Sequence, residues 1–411
     1  MKRGRAMTIR TVLILCVLLF SACTAAGGRH PASGSEHGTS RAAEVEEPQE
    51  LKGEEKQVEA KKDVKPIIQS ATVDLSELKT LAAVIGKVSG RKIVYVGEFH
   101  DHYSHHAVQL EVIKGLHAKN PKIAVGMEMF QRPFQQVLDE YIGASIDERE
   151  FLKRSEYFKR WVFDYNLYKP ILDFCREQKL PVVALNVRRE LTEKVSKGGV
   201  DSLTEEERRE IPAEMDLTDQ EYRVRLKEVF ERHGNAEAKS FDYFFQAQVL
   251  WDEAMARSVD EYLNGRPDHQ MVVLAGGGHL AHGSGIPKRV HRRNNRDYAI
   301  ILNDVDVEEG IADYLVFPPR QEGASSPKLM ALLKEQDGKV TVSGFTRGSV
   351  SEKAGLRRGD VILSMDGETV RNMGDIRFVL FYRKKGEALV VKALRPRFLL
   401  KNREVLVEVK L

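Results

Sequence analysis

The chain has 411 residues, with 64 Lys and Arg against 61 Asp and Glu for a formal net charge of +3, and a hydrophobic fraction of 42%. That length allows two or three domains and that apolar fraction supplies a packed core, while the balanced charge removes the electrostatic case for a nucleic-acid partner. Of the three cysteines, Cys16 and Cys23 fall in or beside an N-terminal export segment, which leaves Cys175 alone and excludes an intrachain disulfide.

The N-terminus carries Lys2, Arg3, Arg5 and Arg10, then a short apolar core over 11–20, then Phe20-Ser21-Ala22-Cys23. The apolar run is too short to span a hydrocarbon core of about 30 Å, and the order of charge, apolar core and small residues is that of a signal peptide. Small residues directly before Cys23 resemble a lipobox. The expectation is a lipoprotein signal peptide over 1–22, acylation of Cys23, and a lipid-anchored protein of the cell envelope facing the periplasm. Thr24 supplies no aspartate-type inner-membrane retention signal, so the outer membrane is the expected destination. Residues 23–72 have few large apolar side chains and cannot bury enough surface to offset ordering entropy; they read as a disordered tether.

From 73 to 320 strands and helices alternate. Ile93–Val96, Ile123–Val125, Val182–Leu185, Met271–Leu274 and Tyr298–Leu302 are short, continuous apolar runs, the pattern of strands buried on both faces. Val108, Val112 and Leu116 mark a helix after the first, and Phe244, Gln248, Trp251, Met255, Val259 and Leu263 mark a long helix before the fourth. Cys175, next to Leu172 and Phe174, reads as a buried structural thiol. The charged stretch from Glu193 to Asn235 reads as a helical cap. The fold class is therefore α/β, a mostly parallel sheet flanked by helices.

From 325 to 411 the style changes. A strand over Lys339–Phe345, a short helix ending at Gly355, an Asp366-Gly367 hairpin turn and a helix over Met373–Tyr382 are expected. The run GSVSEKAGLRRGDVILSMDGETV resembles a PDZ domain of the bacterial periplasmic type, β-rich with two helices. The resemblance implies a groove that takes a peptide or protein C-terminus by strand addition. Its carboxylate-binding loop would fall near Lys328–Ala331, which lacks the glycine expected there. The alternative is a PDZ fold used for packing or dimerisation.

The polar residues that interrupt the strands carry the functional signal. The first strand runs into Gly97-Glu98-Phe99-His100-Asp101-His102-Tyr103-Ser104-His105-His106. In extended backbone Glu98 and His100 share a face, and in a following helix His102 and His106 would lie one turn apart. The second strand ends in Gly126-Met127-Glu128, the third in Asn186 with Arg188 and Arg189 beyond, the fourth in Gly276-Gly277-Gly278-His279 with His282 beyond. Ligands of open parallel sheets bind at the carboxyl ends of the strands, so these groups are expected to converge. On the long helix Gln248 and Asp252 are one turn apart and within reach of the strand ends, where Asp252 would orient a histidine. Each feature also has a plain structural reading: a helix cap, a surface histidine cluster, a tight glycine turn.

Imidazole and carboxylate together suit a divalent transition metal, or a Glu or His general base acting on water. His-Glu-x-x-His, Gly-x-Ser-x-Gly and P-loop patterns are absent from the sequence, and Ser284 lacks a strand of its own. VGEFHDHYSHHAVQ, VGMEMFQRPFQ, ALNVRRELTEKVSKGGV and AGGGHLAHGSGIP resemble the ChaN-like haem-binding lipoprotein family, grouped with Tiki, TraB and erythromycin-esterase-like proteins, over about 75–302. The resemblance implies two functions. One is binding of haem or an iron chelate in iron uptake, with haem between the protomers of a homodimer and a tyrosinate on the iron. The other is metal-dependent or Glu/His-based hydrolysis of peptide or ester bonds. Carried across, the shared catalytic or metal-binding set is Glu98, His100, Glu128 and His279, supported by His105, His106, Asn186, Arg189 and His282. Tyr103, Tyr165 and Tyr168 are the candidate tyrosines. A third option is a PDZ scaffold with a vestigial α/β site.

Overall fold

The computed structural model describes Ser76 and residues 78–233, 240–397 and 400–411. The signal peptide expected over 1–22, the acylation site Cys23 and the tether over 23–72 lie outside the described residues.

The first domain is built in chain order from α1 (Leu81–Val88), β1 (Ile93–Glu98), α2 (Tyr103–His117), β2 (Ile123–Gln131), α3 (Gln135–Ile142), α4 (Glu148–Arg154), α5 (Tyr157–Arg160), α6 (Lys169–Gln178), β3 (Val182–Asn186), α7 (Arg189–Gly198), α8 (Glu205–Glu210), α9 (Gln220–His233), α10 (Phe241–Gly265), β4 (Gln270–Gly276), α11 (Ile286–Asn294), β5 (Tyr298–Asn303) and β6 (Tyr314–Val316). The six strands form one parallel sheet in the order β3-β2-β4-β1-β5-β6. Continuous apolar runs become strands here because both faces are covered. Val94 and Val96 of β1 enter the core beneath α1, α2 and α6, whereas Ile93 and Tyr95 enter the core beneath α7, α10 and α11. Adjacent side chains on a strand point to opposite faces, so each layer takes alternate residues.

The winding of the chain across the sheet reverses between the neighbouring parallel strands β1 and β4. The helix after β1 crosses one face and the helix after β4 crosses the other, which opens a crevice at the carboxyl ends of these neighbouring strands. The helices start where local chemistry allows. Thr80 Oγ1 caps α1 by accepting from Ala83 N–H, Asp147 caps α4, Thr204 and Glu207 make a capping box for α8, and Ser240 caps α10.

Several boundaries differ from the sequence expectation. β2 runs on to Gln131, so Glu128 lies inside the strand, in a stretch where the register with β3 shifts between Met127 and Gln131. His102 precedes α2 as its extended N-cap residue, so it does not share a helix face with His106. The helical cap begins at Arg189, four residues earlier than Glu193. The three-residue β6 went unread because Tyr314-Leu315-Val316 is too short to show a period.

The second domain comprises β7 (Ala331–Gln336), β8 (Lys339–Phe345), α12 (Val350–Ala354), β9 (Val361–Met365), β10 (Glu368–Thr369), α13 (Met373–Phe381), β11 (Ala388–Arg395) and β12 (Arg403–Lys410). Its antiparallel sheet has the order β12-β11-β9-β8-β7, with β10 on β9. Gly355 ends α12 at φ 106°, and Asp366 and Gly367 turn the hairpin with φ of 44° and 83°, conformations that favour glycine and aspartate. Asn372 and Asp375 form the capping box of α13. The two domains meet through an aromatic cluster: Phe158 and Tyr165 pack against Phe378 and Phe381, with Arg149 over the rings of Phe378 and Tyr382. The linker is pinned as well. Ser104 Oγ donates to Pro319 O and accepts from Gln321 N–H, and Ser326 N–H donates to Asp164.

Candidate active and ligand-binding site

Two carboxylate–histidine pairs stand on either side of the crevice. On β1, Glu98 Oε1 lies 2.6 Å from His100 Nδ1 and accepts from Tyr168 O–H at 2.8 Å. Its Oε2 accepts from Gln109 Nε2 at 2.6 Å and lies 3.3 Å from His106 Nδ1. After β4, His279 Nδ1 lies 2.7 Å from Asp252 Oδ1, and Asp252 Oδ2 accepts from Tyr222 O–H at 2.6 Å. Glu128 faces His279 Nε2 at 3.7 Å and accepts from Gly276 N–H at 2.7 Å. All of these acids and imidazoles are buried. The two strands approach closely at this edge: a Cβ on Gly97 would lie 3.2 Å from Gly277 Cα.

The two histidines are held in opposite states. Burial, with the neighbouring His106 and His279, pushes His100 well below the ordinary histidine value. His100 is therefore neutral. With its Nδ1–H given to Glu98, its Nε2 keeps a free lone pair, and that buried atom has no hydrogen-bond partner. Burial opposes charge on His279 too, but Glu128 and Asp252 overcome it and raise the imidazole to about 9. Burial lifts Glu128 above the usual carboxylate range, against the pull of His279. For His106, burial is outweighed by Glu98, and the group is raised. Trp161 and Phe163 close over His100 with ring centroids at 4.9 and 4.8 Å.

The crevice therefore gathers Glu98, His100, His106, Glu128, Asp252 and His279. Asn186 Nδ2 donates to Glu128 O from β3, and both Asn186 Oδ1 and the buried Gln248 Nε2 lack partners. Arg189 lies apart, bonded to Glu193 and to Lys159 O. His282 also lies apart, at φ 57° and 3.8 Å from Glu308. His105 turns outward: its Nδ1 accepts from Phe99 N–H at 2.9 Å and its Nε2 reaches Asp304 at 2.9 Å. Cys175 is fully buried with its thiol pushed up to about 12, an inert core position.

The metal expectation meets a constraint. Among the described residues, the histidine and acid group whose ligand atoms all lie within 4.8 Å of one another is His102, His105 and Asp304, rather than the Glu98, His100, Glu128 and His279 set. His105 is a poor ligand there. Its Nδ1 must stay unprotonated to accept from Phe99, so Nε2 carries the proton and could bind a metal only as an imidazolate. In the crevice His100 Nε2 is the free donor atom, with Glu98 behind it in the manner of a carboxylate that orients a ligating histidine.

Sequence reading missed Gln109, Tyr168, Tyr222 and Asp304 as partners. Gln109 was findable, because a polar residue one position after Val108 and three before Val112 falls near the apolar stripe of α2. The others come from distant segments with no periodic signal.

Residues 84–290 match a family model described as haem-binding uptake, Tiki superfamily, ChaN, and residues 341–386 match a PDZ domain model. The chain is 23% identical over 254 residues to Protein RETICULATA-RELATED 5, chloroplastic, of Arabidopsis thaliana, covering 56% of this chain and 34% of that protein. It is 28% identical over 124 residues to a probable periplasmic serine endoprotease DegP-like of Chlamydia trachomatis, covering 30% of this chain and 23% of the relative. The chain thus spans about a third or less of the length of these curated relatives. Among solved structures, that titled cofacial heme binding to ChaN of Campylobacter jejuni aligns with a TM-score of 0.48 at 16% identity, over 57% of this chain and 89% of that one. The family model takes in half of the 411 residues, including every residue of the crevice, and the chain belongs to the ChaN-like haem-binding uptake family of the Tiki superfamily, with a C-terminal PDZ domain.

Proposed function

We propose that the α/β domain binds haem in the groove around Tyr103, with the Tyr103 phenolate as iron ligand. The observation that carries this reading is the place of Tyr103. It lines two adjoining depressions of about 450 and 320 Å³ that also share Leu167 and Gln321. The other tyrosines near the crevice cannot compete. Burial pushes Tyr157, Tyr165 and Tyr168 well above the ordinary phenol value, which disfavours a phenolate. The donor chemistry fits haem: Tyr103, His102 and Arg320 line the same depression, and the Arg320 guanidinium could pair with a propionate. Haem would supply the redox-active iron; Tyr103 would hold it and Leu167 would pack on the ring. In this reading the protein is anchored through acylated Cys23 at the outer membrane, serves iron uptake, and pairs with a second copy over the exposed face of the haem. Hemin titration should give a saturable Soret shift, weakened at least tenfold by Tyr103→Phe. Equal binding by the variant and the wild type would sink the assignment.

A second reading, hydrolysis, rests on the unpartnered lone pair of His100 Nε2. Backed by Glu98, it could take a proton from water while the His279 imidazolium supplies one to a leaving group. Turnover of a chromogenic ester, abolished by His100→Gln with folding intact, would support it. Equal rates in the two proteins would remove it.

A further inference from the structure

The crevice is closed by residues 161–168, and the PDZ domain is seated on α5 just before that segment and on Tyr165 within it. Trp161 and Phe163 cover His100, Tyr168 O–H donates to Glu98, and Leu167 lines the Tyr103 depressions. Immediately before this wall, α5 takes the contacts of α13. Arg377 Nη1 donates to Phe158 O at 3.1 Å, and Phe381 packs on Phe158 and Tyr165 with centroids at 5.6 and 5.3 Å. Gly374 lies so close to α5 that a Cβ there would sit 2.7 Å from Lys159 N and 2.8 Å from Lys159 Cα. The glycine is within a regular helix, so its presence answers to this close approach and not to any backbone demand. On its other side α13 is bridged to β7 by Glu335, which accepts from Met373 N–H at 2.8 Å. β7 ends the sheet, with no further strand on its outer edge among the described residues.

We propose that α13 is a latch on the crevice. Seated on α5, it holds the Trp161–Tyr168 wall against His100 and Glu98; leaving that seat loosens the wall and admits water or ligand to His100 Nε2. A chain segment added to the outer edge of β7 has to lodge beside α13, which gives the PDZ domain a physical route to the site. The proposal depends on the haem reading only where it concerns ligand entry past Leu167.

Gly374→Ala is the decisive variant in the full chain. The new methyl group should pry α13 from α5; it would also lie 2.8 Å from Oδ1 of Asn372, the N-cap of α13, so the variant counts only where circular dichroism shows the helix retained. The chain has two tryptophans, so 5-fluorotryptophan labelling gives one ¹⁹F resonance for the wall residue Trp161 and one for Trp251. The Trp161 resonance should move and gain a solvent isotope shift, the Trp251 resonance should stay, and hemin should associate several-fold faster. Arg377→Met, which removes the bond to Phe158 O and keeps an apolar stem, should move Trp161 the same way and decides the matter if Gly374→Ala fails to fold. Leu406→Ala, on the exposed face of β12, should move neither resonance. A folded variant with an unmoved Trp161 resonance overturns the latch. Wild-type protein that shows no Soret shift, while Trp161 still moves in the variants, overturns the haem reading and leaves the latch standing.

Discussion

At the scale of single residues, the crevice shows how placement sets proton affinity. His100 and His279 are equally buried, yet one is neutral and the other charged, because His279 stands between two carboxylates while His100 shares Glu98 with Tyr168, Gln109 and His106. The raised value of His279 stabilises the folded state below its unfolded value near 6.5, and that contribution is lost as pH rises through about 9. At full effect it is on the order of 3 kcal/mol. The stability gap between the wild type and His279→Gln should therefore be widest below pH 6.5 and narrow toward pH 10. A gap of constant size in chemical denaturation across that range would show that His279 is uncharged in the fold. His100 and His105 act in the other direction. Their folded values are depressed, so acidification below about 6.5 favours the unfolded chain, which takes up the protons.

At the scale of elements, the strands were legible wherever the sheet covers both faces, because a fully buried parallel strand must be continuously apolar. Their carboxyl ends were legible too, because polar residues at the end of such a run have few places to go except a shared crevice. That Asp252 would orient a histidine was legible from the buried face beside Trp251 on α10; that the histidine is His279 came only from the fold. What stayed hidden depended on tertiary geometry. Nothing local announces that Tyr168 reaches Glu98 across 70 positions, or that Asp304 at φ 50° meets His105. The outward turn of His105 was equally unreadable, since it depends on one backbone N–H. The turn after β4 offers a sharp test of how tightly these elements are set. A Cβ on Gly285 would lie 2.1 Å from His279 O and 3.1 Å from Asp252 Oδ1. Gly285→Ala should cost about 3 kcal/mol by overpacking and separate the Asp252–His279 pair. A thermal midpoint equal to that of the wild type would mean the turn relaxes freely.

At the scale of the whole molecule, the two domains are joined by more than a linker. Arg149 and Lys153 of α4 both reach Glu368 on β10, and their cations also lie over Phe378. Each exposed ion pair is worth at most about 1 kcal/mol, so the aromatic junction beneath them carries the attachment. Phe381→Ala should cost about 2 kcal/mol, less than the roughly 3–5 kcal/mol of a fully buried phenylalanine because this ring is only partly buried, and scanning calorimetry should then resolve two transitions where the wild type melts in one. Two separate transitions already present in the wild type would show that the junction does not couple the domains. The pinned linker and the shared aromatic packing have a practical corollary for dissecting this protein. A fragment begun near residue 327 would leave Phe378 and Phe381 without the rings that cover them and Tyr382 without the Arg149 cation, turning the docking side of its helix into a sticky surface. Such a fragment is expected to self-associate at working concentrations, and bait experiments with it would report that newly bared face as much as any native groove.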